Sequence, residues 1–197
     1  MQYKKEELMA IVLQNAEQEF MHKGYQNASL RVIAKNSGTT IGNLYHYFEN
    51  KEALFETLVK PEYDAFIYLI QNHSGEMIPA EIVQSRDVRV WRAFLREWMQ
   101  SVAPVFTNRF YILLEKSEGS RFAGTRAEFM EVLTEHFIEH LKETDIPIAP
   151  EMGAVIAEQL MSGVLYVIAH YDDPETQLTL ICDTFLFVVA GVIRLLE

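Results

Sequence analysis

One stretch, Ser29–Leu54, reading SLRVIAKNSGTTIGNLYHYFENKEAL, constrains the fold more than any other part of the chain. Ser29 is a helix N-cap residue, whose hydroxyl is expected to accept from an unpaired N–H of the first turn. Leu30, Ile33 and Ala34 then recur at i, i+3 and i+4, which places them on one helical face. Gly38 is expected to end that helix in the left-handed conformation that glycine adopts at little cost. Thr39 or Thr40 caps a second short helix, in which Ile41, Leu44 and Tyr45 share a face that Phe48 extends. Asn50 caps a third, longer helix beginning Lys51-Glu52-Ala53-Leu54.

Two helices joined by a tight glycine turn are the pattern of a helix-turn-helix. The second helix of that motif enters the major groove of DNA with its N-terminal residues near the base edges. Here it displays Thr40, Asn43, Tyr45, His46 and Tyr47, whose polar atoms suit phosphates and base edges. Lys51, in the first turn of the next helix, is placed to pair with a phosphate.

At these residues the chain resembles the TetR family of bacterial transcriptional regulators. The resemblance rests on Phe20, Gly24, Tyr25, Ser29, Arg31, Ile33, Ala34, Gly38, Thr40, Gly42, Leu44, Tyr45, Tyr47, Phe48, Lys51, Glu52 and Leu54. Thr39 stands where the family commonly has valine, and Val32 where it commonly has an acid. The resemblance implies that Ser29 and Arg31 meet the DNA backbone, that Thr40, Tyr45, Tyr47 and Lys51 contact phosphates, and that Asn43 and His46 lie nearest the base edges beside Thr39 and Thr40. Leu44, Phe48, Ile33 and Ala34 are read as core. It further implies a cytoplasmic homodimer on a double-stranded, palindromic operator, with recognition helices about 34–36 Å apart or slightly more. Repression, released by a small effector, is the family's commonest mode. The alternative is a co-activator or nucleoid-associated protein of the same fold that acts through protein partners.

The rest of the chain is read as helical, which makes the fold all-α. Residues 1–50 are expected to form the DNA-binding domain and residues 51–197 the effector-binding and dimerisation domain, with 51–71 as a linking helix bent at Pro61. A long amphipathic helix over about Lys4–Lys23 precedes the motif, carrying Leu8, Val12, Ala16 and Phe20 on one stripe. Breaks are expected at His73-Ser74-Gly75, Pro104, Gly119 and Ile146-Pro147-Ile148-Ala149-Pro150. Thr125 with Glu128 reads as a capping box, and Asp173-Pro174-Glu175 as a helix start.

The final helix is apolar nearly all round. Asp183 and Arg194 bracket a run too short to cross a bilayer, so a subunit interface is the preferred reading over a membrane span. Gly163, Leu178, Cys182, Phe185, Val189 and Val192 are its candidate residues. In the middle helices Trp91, Phe94, Trp98, Phe110, Phe129, Phe137 and Tyr166 are candidates to line a pocket for a largely apolar effector, with Arg109, Glu115, Arg121 and His170 as polar partners. The same spacing equally suits core side chains.

Charge sharpens the DNA reading. The chain of 197 residues carries a net charge of −11, yet residues 1–60 hold seven Lys/Arg against seven Asp/Glu. The whole acidic surplus therefore lies beyond the motif, where it disfavours wrapping of DNA and suits a small, specific footprint. The single cysteine, Cys182, excludes an internal disulfide and fits a reducing cytoplasm. His136-Phe137-Ile138-Glu139-His140 matches the H-x-x-E-H pattern of the inverted zinc protease family, with Glu143 on the same face. No third ligand of that family's kind and no nucleophile constellation accompanies it, so no metal, cofactor or catalytic residue is assigned and an enzyme is not expected.

Overall fold

The computed structural model of the protein describes residues 2–72, 79–83, 85–142 and 149–195. The breaks read at His73–Gly75 and Ile146–Ile148 lie outside the described residues, as do Glu143 and the side chains of His140 and Val192. Among the described residues the structure is helical throughout, without a strand. In order, the helices are α1 (Gln2–Asn27), α2 (Leu30–Asn36), α3 (Ile41–Leu44), α4 (Lys51–Asn72), α5 (Ala80–Val83), α6 (Val88–Val102), α7 (Asn108–Glu115), α8 (Thr125–Lys142), α9 (Met152–His170) and α10 (Pro174–Leu195). A single 3-10 turn, Ala103–Val105, follows α6 at Pro104.

The helix ends follow local chemistry. Gly38 has a φ of +67° and lets the chain turn from α2 into α3, a conformation that costs a residue with a Cβ. Thr40 caps α3 by accepting from the Asn43 N–H at 3.1 Å, and Asn50 accepts from Ala53 N–H at 2.9 Å ahead of α4. Asp173 accepts from both the N–H and the hydroxyl of Thr176, which starts α10. Those hydrogen bonds hold the Asp173 carboxyl below its ordinary pKa. Ser29 departs from expectation. It occupies the cap position of α2 but its hydroxyl makes no capping bond. Instead its own N–H donates to Glu19 Oε1 at 3.0 Å, so a carboxylate on α1 steadies the corner. The box expected from Thr125 is also displaced: Thr125 is already inside α8 and buried.

The chain divides into two compact units. The first comprises Met1–Asp64 and Asn108–Arg126, the second Ala65–Thr107 and Ala127–Glu197. The first unit therefore reaches past the expected boundary at residue 50. It keeps the first half of α4 and takes in α7, because Leu54, Phe55, Leu58, Val59, Phe110, Ile112, Leu113 and Phe122 complete the core begun by Val12, Ala16, Phe20, Ile33 and Leu44. Phe55 sits at its centre, edge-on to Phe20 at 4.9 Å and to Tyr25 at 5.0 Å, with Phe122 at 6.1 Å. α4 runs through Pro61 as one helix of 22 residues.

In the second unit α10 packs against both α6 and α9. Phe66 stacks on Phe129 at 4.1 Å, and Phe185 meets Trp98 at 5.9 Å and Phe106 at 6.1 Å. α9 has a mean hydropathy of 1.6, apolar enough for a membrane span, and half of it is buried inside the protein. It buries Ala157, Leu160, Met161, Val164, Leu165, Val167 and Ile168. Gly163 lies against Thr184, where an added Cβ would stand 2.8 Å from the Thr184 methyl carbon.

Candidate nucleic-acid interface

The helix-turn-helix is built outward from a small buried base. Ile33 and Ala34 of α2, Leu44 of α3 and Phe48 after it are all buried. This fixes the opposite side of α3 and its following turn towards solvent. Thr40, Tyr45 and His46 are exposed there, while Thr39, Asn43 and Tyr47 are half-buried beside them. Tyr45 is 51 % exposed although it is a large apolar ring, and burying its hydroxyl would require a partner. Arg31 is exposed on α2. The Asn43 amide donates to Thr39 Oγ1 at 2.8 Å. That bond fixes two neighbouring polar side chains and leaves the Asn43 carbonyl oxygen as an acceptor, the complement of an exocyclic amino group on a base.

Lys51 was expected to pair with a phosphate, and the structure gives its ammonium partners within the chain. Nζ donates to three carbonyls that follow the kink of α1 at Gly24, those of Tyr25 (2.6 Å), Gln26 (3.1 Å) and Ala28 (3.3 Å). It also lies 4.6 Å from the centroid of the Tyr25 ring. Backbone carbonyls are strong acceptors that need donors, so the ammonium is drawn to them.

Lys51 is one member of a larger knot that the sequence pattern does not reveal. Tyr25 donates its hydroxyl to Glu52 Oε2 at 2.6 Å, and burial together with that acidic neighbour pushes the phenol up to about 12. The other oxygen of Glu52 accepts from the Arg121 N–H at 3.1 Å, and the Arg121 guanidinium pairs with Glu56. Tyr25 N–H donates to the Lys116 carbonyl at 2.7 Å. Gly119 approaches so closely that an added Cβ would stand 2.6 Å from Gln26 Cγ. The loop between α7 and α8 thus closes the corner where α1 meets α4. Arg121 alone lies 65–69 positions from its partners, beyond the reach of any local pattern.

The candidate effector residues separate. Phe110 belongs to the first unit and is fully buried on α7, which packs on α1. Arg109, Glu115 and Arg121, expected as polar effector partners, are paired with Glu17, Arg126 and Glu56 in that same unit. In the second unit Trp91 and Phe129 are buried, and Phe94, Trp98 and Phe137 are half-buried. Tyr166 is not interior: it is 57 % exposed on α9 and stacks on His170 at 4.0 Å. Phe94 lines an open groove of about 580 Å³ with Pro79, Ile82, Val90 and the charged Arg89, Glu81 and Glu97.

The interface candidates have contacts within the chain. Cys182 is buried, Phe185 packs on Trp98 and Phe106, and Gly163 accommodates Thr184 within the same chain. Leu178 and Val189 are half-buried. α6 and α9 already cover that sector of α10. The uncovered sector carries Phe187, 85 % exposed, and α9 leaves Met152, Val155 and Tyr166 uncovered. His136 is half-buried and meets Phe137 edge-on at 5.7 Å. Among the described residues no three metal-ligating side chains gather.

Comparison with known proteins agrees with this architecture. Residues 12–58 match the pattern of the bacterial regulatory proteins of the tetR family. The chain is 23 % identical over 182 residues to the probable HTH-type transcriptional regulator YttP of Bacillus subtilis (strain 168), covering 81 % of this chain and 82 % of that protein. A TetR-family transcriptional regulator from Bordetella parapertussis 12822 shares the fold with a TM-score of 0.60 at 16 % identity, covering 96 % of this chain and 97 % of that one. A TetR-like transcriptional regulator from Rhodococcus sp. RHA1 does so with a TM-score of 0.56 at 16 % identity, covering 95 % and 94 %. The helix-turn-helix thus lies inside the segment that matches the tetR pattern, and the helical chain shares the fold of these two regulators.

Proposed function

We propose that the protein is a cytoplasmic repressor that binds a palindromic operator as a homodimer and is released by a small, largely apolar effector. The observation that carries the DNA part is the solvent-facing set Thr40, Tyr45 and His46, flanked by the hydrogen-bonded Asn43–Thr39 pair and backed by a fully apolar base. In this reading Thr40, Tyr45 and Tyr47 meet phosphates, Ser29 and Arg31 meet the backbone from α2, and Asn43 and His46 read base edges beside Thr39. Lys51 acts as a positioning residue through the carbonyls of α1.

A second copy is supported by the apolar surface left open on α9 and α10, where Phe187, Val155 and Tyr166 need cover. An apolar effector is supported by the aromatic side chains of α6 and α8, among them Trp91, Phe94, Trp98 and Phe129. The effector would act by binding better to a state in which α4 has moved and the recognition helices no longer fit successive grooves.

The test is binding of the purified protein to the DNA upstream of its own gene, with mass measured for the bound complex. Tight, salt-sensitive binding of two chains per site, weakened at least tenfold by Tyr45→Ala, is expected. A stable dimer that binds no such site would move the reading to a partner protein or a distant operator.

A further inference from the structure

We propose that Lys5 is a DNA-phosphate contact, which extends the DNA-facing surface onto the first turn of α1 and beyond the segment matched to the family. The inference rests on the DNA-binding reading above. Its starting point is a gap in charge. Residues 36–50, which span α3 and the turns on either side, contain no lysine or arginine. Lys51 follows them directly, but its ammonium is held by three carbonyls. A recognition helix without a cation lacks the electrostatic contribution that dominates affinity for DNA.

Lys5 fills that gap in space, not in sequence. It is exposed, and its Nζ lies 5.6 Å from the centroid of the Tyr47 ring, within the range at which an aromatic face attracts a cation. Tyr47 closes the turn that displays Tyr45 and His46. The ring therefore holds an ammonium beside the very side chains that face solvent after α3. Among the described residues no carboxylate forms an ion pair with Lys5, so its charge is available to a phosphate. Glu6 and Glu7 follow it in sequence, but successive positions on a helix diverge by about 100°. Lys5 lies outside the family-matched residues 12–58, and neither the helix-turn-helix pattern nor the resemblance assigns it a role.

The test is a salt series of DNA binding by the full-length protein, on the upstream duplex and on a scrambled duplex of equal length. Wild type, Lys5→Gln and Lys5→Arg are compared. The slope of log K against log salt should become shallower by about 0.9 for each phosphate contact removed, so by roughly 1.8 for a dimer carrying Lys5→Gln. The loss should be similar on both duplexes, because a phosphate carries no sequence. Lys5→Arg should restore the wild-type slope, since the charge remains. A Lys5→Gln protein with the wild-type slope, or one weakened on the upstream duplex alone, would overturn the proposal while leaving the DNA-binding reading intact. Wild-type protein that binds neither duplex would overturn both.

Discussion

The first unit is closed by directional polar bonds between residues far apart in sequence, whereas the second is closed mainly by apolar helix faces. In the first, Lys51, Glu52, Tyr25 and Arg121 meet at one corner, and Glu17–Arg109 and Glu115–Arg126 tie further segments. In the second, α9 buries a continuous row of aliphatic side chains and α10 answers with Ile181, Cys182 and Leu186. Hydrogen bonds fix atoms to within tenths of an ångström, as a surface matched to base edges requires. Apolar contact is non-directional and tolerates repacking, as the effector-driven release proposed above would need.

Five substitutions would break or sharpen this contrast. The largest effect is expected from the buried rings. Phe55→Ala in the first unit and Phe129→Ala in the second each remove a fully buried side chain, at about 3–5 kcal/mol. Denaturant unfolding followed by circular dichroism should show comparable losses. If the polar knot alone held the first unit, Phe55→Ala would cost far less than Phe129→Ala.

Next is Lys51→Met, which keeps the stem but strips the ammonium from three carbonyls. Leaving half-buried carbonyls unpaired costs about 1–3 kcal/mol, and DNA affinity should fall with stability because the corner beneath α3 loosens. A variant of wild-type stability would show that water replaces the ammonium fully.

Gly163→Ala is expected to be smaller still. A methyl at this position gains about 0.5–1 kcal/mol of helix propensity, but it meets the Thr184 methyl carbon at 2.8 Å, and overpacking costs typically 1–3 kcal/mol. The net is a loss of about 1 kcal/mol, read as a lower melting temperature. A gain would mean that α9 and α10 part freely.

The smallest effect is Asp173→Ala. The Asp173 carboxyl titrates below its ordinary value because it accepts from Thr176. Its contribution is therefore present above about pH 4 and fades as pH falls through the folded-state value. The melting-temperature gap between variant and wild type should close in acid; a gap constant with pH would assign the effect to packing.

How much was legible follows the reach of each interaction. Thr40, Asn50 and Asp173 cap helices as their spacing implies, since a cap acts within three residues. The helical segments and the core positions Ile33, Leu44 and Phe48 follow from periodicity alone. Ser29 was read as its own cap, but the bond that steadies it comes from Glu19, on the preceding helix. The Lys51 and Arg121 contacts were not legible, because a charged side chain near a helix start serves a phosphate or a neighbouring helix end equally well until the tertiary corner is known. α10 shows the same limit in apolar form. When nearly every sector of a helix is apolar, sequence cannot tell that Cys182 and Phe185 turn inward while Phe187 turns out. Aromatic residues at helical spacing likewise did not disclose that Phe110 and Phe129 belong to different cores.

The close crossing of Gly163 and Thr184 also bears on how this protein can change over generations. The two positions share one volume, and neither can enlarge unless the other shrinks. Alanine at 163 becomes neutral once serine at 184 removes the opposing methyl group. Among descendants of this chain the two sites should therefore drift as a pair, and a lineage that loses the glycine should already have lost the threonine.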